Sequence, residues 1–139
     1  MKALILELDK RHVWGRYHEL RINSACIQRT VYLEEGGMNS LHRHDTIEWM
    51  TVVEGEVGFT VGASRDTLQQ IKLGPGGSIE VPARFWHRIR YISGGFKLPN
   101  DDVSCAVINE TMIGEHFDGQ YVIERLEPAL PSVRNNRER

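Results

Sequence analysis

The chain has 139 residues, room for one domain and not for a second with its own core. Hydrophobic residues are 40% and charged residues 26%, and 17 Lys+Arg against 19 Asp+Glu give a formal net charge of -2. That balance leaves no broad basic field for nucleic acid, and no apolar run approaches the roughly 20 residues of a membrane span. The apolar stretch at the start stops at Glu7, too short for a signal peptide, so a cytoplasmic protein is expected. Cys26 and Cys105 fit neither a metal spacing nor a disulfide scaffold and read as free thiols.

Thirteen glycines and five prolines punctuate short runs rich in Val and Ile, the pattern of many short strands and tight turns. In chain order, Ala3 to Leu8 reads as a strand and Asp9 to Tyr17 as a turn-rich connection. Ala25 to Leu33 is the second strand, closed by Glu34-Glu35-Gly36-Gly37. Ile47 to Val53 and Val57 to Val61 form a hairpin around Glu54-Gly55-Glu56. Val57, Phe59 and Val61 alternate with Gly58 and Thr60, so one face points in and one out. Thr67 to Leu73, Ser78 to Val81, Trp86 to Ile92, Val103 to Ile108 and Gln120 to Leu126 complete about ten strands, with no persuasive helix. An all-β closed barrel or sandwich over residues 1–127 is expected. The stretch 128–139, with two prolines, two asparagines and three arginines, is expected to be a disordered tail.

The chemistry lies in the histidines. His42 and His44 are two apart and share one face of a strand. On a straight strand Glu48 would lie too far from His42 to share an ion with it. A tight bend over Asp45 to Ile47 would bring Glu48 back beside His44, and His87 could supply a ligand from another strand. Three imidazoles and a carboxylate suit a divalent transition metal: zinc, manganese, iron, cobalt, nickel or copper. His12 and His18 read as exposed, and His116 as a surface residue.

The framing is specific. Gly36, five residues, His42, one residue, His44, three residues, Glu48, six residues, Gly55 resembles the first signature of the cupins at each defined position. Gly76, five residues, Pro82, then His87 resembles the second, with Arg84 where a glycine is usual and Tyr91 where an asparagine is usual. The resemblance implies a small single-domain cupin, a double-stranded β-helix or jelly-roll barrel. It also implies a metal held by His42, His44, Glu48 and His87.

Over roughly residues 13–127 the chain is similar to the mannose-6-phosphate isomerase-like cupins. Trp14-Gly15-Arg16-Tyr17, His87-Arg88, Gly114-Glu115 and Arg125-Leu126-Glu127 carry the likeness. Gln28 beside Arg29 stands where that group often has a lysine, and Thr46-Ile47 where it often has a basic residue. The resemblance implies a metal-dependent sugar or sugar-phosphate isomerase; an iron-dependent dioxygenase and a non-catalytic sugar-binding module are the alternatives. Glu48 and Arg88 are the candidate catalytic residues. Strand parity places Met50 inward with Glu48, and Tyr91 inward with His87, either as a substrate contact or as a core tyrosine. Arg84, Arg88 and Lys97 are candidates for a phosphate. The expected partners are a small-molecule substrate, phosphorylated in the sugar-phosphate case, and a second copy in a homodimer paired through Ala3-Leu4-Ile5-Leu6.

Overall fold

A computed structural model describes residues 6–97, 102–114 and 122–137. Ala3 to Ile5 and His116 lie outside them. The strands are β1 (Leu6–His12), β2 (Gly15–Asn23), β3 (Cys26–Glu34), β4 (Leu41–His44), β5 (Ile47–Glu54) and β6 (Glu56–Gly62). A 3-10 turn (Arg65–Thr67) leads to β7 (Gln69–Leu73), β8 (Ser78–Val81), β9 (Trp86–Ser93), β10 (Cys105–Ile113) and β11 (Val122–Glu127). One short helix, α1 (Val133–Arg137), follows. They form two antiparallel sheets, β1-β2-β3-β10-β5-β8 and β11-β4-β9-β6-β7. The expectation of an all-β barrel holds.

The core lies between the sheets, where each strand sends alternate side chains inward. Val31 and Leu33 from β3, Met50 and Val52 from β5, Phe59 from β6, Ile89 from β9 and Ile108 from β10 pack as one cluster. Trp49 and Val53, on the other face of β5, are exposed. The glycines that frame the motif, Gly36, Gly55 and Gly76, all have positive φ (82°, 83° and 87°). Their turns need a conformation that a Cβ disfavours. Cys26 and Cys105 are free thiols. Among the described residues no helix is long and apolar enough to cross a membrane.

Two strand expectations change. The connection expected over Asp9 to Tyr17 is largely strand: β1 runs to His12 and β2 starts at Gly15, with Tyr17 and Glu19 turned inward beside β3. β10 runs five residues past Ile108, paired to both β3 and β5. Within the stretch 128–139, expected as a tail, residues 130–135 make specific contacts. Leu130 bridges Met38, and the buried Ser132 hydroxyl donates to Glu34 at 2.9 Å. Arg134 Nε donates to the second Glu34 oxygen at 3.0 Å. The buried Glu34 carboxylate thus gains donors from this segment, a demand that tail composition does not reveal.

Candidate metal centre

β4 and β9 are neighbours in the five-stranded sheet, and His42 stands opposite His87 in register. After His44 the chain bends over Asp45 and Thr46 and re-enters as β5, in the other sheet. Glu48 therefore meets the histidines from the opposite wall. Its Oε1 lies 2.7 Å from His44 Nε2 and its Oε2 lies 3.2 Å from His87 Nε2. The three imidazole centroids are 4.6, 4.7 and 4.9 Å apart. All four side chains are buried.

The bend is clamped from the loop before β9. Arg84 N donates to His44 O at 2.6 Å, and Arg84 Nε reaches Asp45 at 2.7 Å. Arg84 has φ 68°. This explains the glycine usual here in the second signature: the backbone is left-handed, and arginine adopts it under strain. Arg84→Gly is expected to raise the midpoint of thermal unfolding by roughly 2 °C. A lower midpoint by calorimetry would mean that the exposed Asp45 contact outweighs the strain.

The donor set fits a cation. His42 Nδ1 is 2.6 Å from Ser40 O and His87 Nδ1 is 3.0 Å from Phe85 O, contacts that place the proton on Nδ1. Both Nε2 lone pairs then face the site. His42 Nε2 lies only 3.1 Å from His44 Nε2, a contact of two acceptors unless a proton or cation lies between them. His87 Nε2 and both Glu48 oxygens are buried without a well-aligned hydrogen bond. The ligating nitrogens of His42, His44 and His87 lie within 4.8 Å of one another, close enough to hold one metal ion.

Charge is tightly linked here. Burial, then the neighbouring His87 and His44, hold His42 down to about 3 from the ordinary 6.5. Burial also lowers His44. For His87 burial acts downward, but Glu48 outweighs it and the net shift is upward. Burial would raise Glu48, yet His87 and His44 hold it well below the carboxylate range.

His42 therefore contributes stability that is present above 6.5 and lost as pH falls toward 3. His87 has the opposite sign: its contribution is full below 6.5 and lost as pH rises through its elevated folded value. Between pH 7 and 5 the His42 contribution to the metal-free protein should fall by about 2 kcal/mol. Urea unfolding of metal-free wild type and His42→Asn tests this. An equally steep pH dependence in the variant would show that His42 is not held neutral.

The centre opens into a cavity of about 750 Å³. Met50 and Ile89 line it, as strand parity predicts for Met50. One wall is aromatic: His12, Trp14 and Tyr17 stack with planes within 18° and centroids 5.1 to 6.5 Å apart. Another is charged. Arg29 donates to Glu19 at 2.9 Å, lies 4.4 Å over the Tyr17 ring, and comes within 3.9 Å of Glu110. Burial, then Glu48, pushes Glu110 up to about 7, against the pull of Arg29 and His87. Pro128, Ala129 and Asn135 complete the rim.

Four expected contacts are not part of this lining. Arg88 sits on the outward parity of β9 and pairs with Glu127, so it does not face the histidines. Arg84 is exposed and engaged with Asp45. Lys97 is exposed beyond the Phe96–Cys105 bridge. Tyr91 donates its hydroxyl to Gly94 O at 2.6 Å at the far end of β9. Arg29 and Glu110 were not singled out from sequence. Inward parity carried along β10 through Ala106, Ile108, Glu110 and Met112 would have found the second.

Residues 29–95 match the family model of the cupin domain. With the two-sheet barrel around them, this gives the chain the fold of a single-domain cupin. Among solved structures it is similar to oxalate decarboxylase of Bacillus subtilis. One variant of that enzyme aligns with TM-score 0.68 and 17% identity, over 86% of this chain and 30% of the other. A second variant gives 0.67 and 18%, over 83% and 29%. The structure at pH 4.6 gives 0.65 and 17%, over 87% and 30%. The chain thus spans under a third of the length of these enzymes, and identities this low establish the shared fold alone. No curated protein matches the chain by sequence.

Proposed function

We propose that the protein is a metal-dependent enzyme of the cupin type that isomerises a small sugar or related hydroxy-carbonyl compound. In this reading His42, His44, Glu48 and His87 hold a divalent ion. The observation that carries it is the convergence of three buried imidazoles and one carboxylate at one end of a cavity with ample room for a monosaccharide. The ion would polarise adjacent carbonyl and hydroxyl oxygens as a Lewis acid. Burial keeps His42 neutral, Glu48 stays ionised, and the Nδ1 contacts to Ser40 O and Phe85 O turn His42 and His87 toward the site. The apolar wall of Met50, Val31 and Ile89 limits water around the substrate.

The lining favours an unphosphorylated substrate. Arg84, Arg88 and Lys97 face elsewhere, and Arg29 is already matched by Glu19 and Glu110. The aromatic wall supports a second reading, an iron-dependent dioxygenase acting on a planar substrate over Trp14 and Tyr17.

The test is elemental analysis, followed by incubation of the metal-loaded protein with mannose, fructose and their 6-phosphates. Interconversion of the free sugars that stops on chelation supports the isomerase. Iron with substrate-dependent oxygen uptake and no interconversion overturns it in favour of the second reading. A homodimer remains part of the proposal, and sedimentation equilibrium of the full chain tests it directly.

A further inference from the structure

We propose that Glu110 is the catalytic proton carrier of this cavity and that Arg29 positions it. The inference rests on the isomerase reading above and adds a residue to it. In the pairing of β10 with β5, Met112 stands opposite Glu48 and Glu110 opposite Met50. Glu110 is thus the next inward residue along the wall that faces the histidines. Diagonal neighbours of this kind lie roughly 7 Å apart, within reach of one small substrate.

Glu48 is engaged by two imidazoles and has little freedom to act as a base. Glu110 is the other carboxylate lining the cavity among the described residues. Arg29 stands opposite it in the β3 register. Glu19 and the Tyr17 face hold the guanidinium still, so its charge is fixed beside Glu110 and does not compete for substrate. Four charged or titratable groups bear on Glu110 from the neighbouring strands: Glu48 from β5, His87 from β9, Arg29 from β3 and Glu19 from β2. Burial on this wall makes Glu110 a stronger base than an exposed carboxylate, and its place beside the ligands lets it reach a carbon of a substrate bound there.

The step balances without an oxidant. The Glu110 carboxylate takes the proton from the carbon that bears the hydroxyl, next to the carbonyl. The C–H electron pair becomes the carbon–carbon double bond of an enediol, and the carbonyl π pair moves onto its oxygen, which takes the proton of the neighbouring hydroxyl. The oxygen that gave up that proton becomes the new carbonyl as the carbon–carbon π pair takes the Glu110 proton at the former carbonyl carbon, so Glu110 ends as the carboxylate it began as.

The experiment follows deuterium entry into hydroxyacetone, the smallest α-hydroxyketone, by proton NMR of the manganese-loaded full chain in D2O. Glu110→Gln should slow exchange about 100-fold or more at unchanged metal content, and Glu110→Asp should recover part of the rate. Arg29→Met should move the midpoint of the pH–rate profile upward, because the charge that lowers Glu110 is gone. Arg29→Lys keeps that charge and should leave the midpoint near wild type. Wild-type exchange in Glu110→Gln overturns the assignment and leaves the isomerase reading standing. No exchange by wild type overturns both. An unmoved midpoint in a folded Arg29→Met protein overturns the role of Arg29.

Discussion

Replacing His44 by alanine is expected to abolish metal binding. His44 is buried, its Nε2 lies 2.7 Å from Glu48 and 3.1 Å from His42 Nε2, and its ring packs against both other imidazoles. Loss of a residue that merely orients a ligand costs roughly 10–100-fold in affinity, so loss of a ligand should cost more. The same ion should stabilise the fold. At a hundred times its dissociation constant, a ligand that binds only the native state adds about 2.7 kcal/mol, or roughly 8 °C in a domain of this size. Wild type should show that shift on metal addition and His44→Ala should not. His18→Ala is the control, because His18 packs against Tyr32 and does not line the cavity. One ion per chain in His44→Ala, with the thermal shift intact, would remove His44 from the centre.

Truncation of Phe59 should have the largest effect on stability. Phe59 lies on β6, 1% exposed, opposite Ile71 on one side and Ile89 on the other. It is among the largest fully buried side chains, and Ile89 carries its packing to the cavity lining. Phe59→Ala loses the transfer free energy of the ring and leaves a void, about 3–5 kcal/mol together. Against a total of about 5–15 kcal/mol, this should lower the thermal midpoint by roughly 10 °C. The metal-free protein reads the core effect without the ion. A midpoint within about 2 °C of wild type would show that the sheets close over the gap.

How far the site could be read from sequence depended on where its residues lie relative to one another. His42, His44 and Glu48 fall within seven residues, and the glycines beside them are forced by positive φ, so spacing alone outlined that part. Met50 followed from strand parity. Arg84, Arg88 and Lys97 were drawn in by charge, which says nothing about direction; β9 parity turns Arg88 outward, and Asp45 takes Arg84. Glu110 escaped because the expected strand stopped at Ile108. The continuation through Asn109 and Glu110 is polar, and only pairing with β3 and β5 makes it strand.

By itself, then, the sequence determined the fold class and the outline of the candidate metal centre. Alternating apolar residues and turn glycines act locally, and the ligand motif occupies one short stretch. Tertiary structure decided what faces that candidate centre. It placed β4 and β5 in opposite sheets, so that Glu48 meets the histidines across the barrel. It brought Arg29 and Glu110, 81 positions apart in the chain, into register on one wall. It seated residues 130–135 against Glu34. Those outcomes depend on which strands pair and on which buried charges must be matched. Both are properties of distant segments meeting, and no local pattern encodes them.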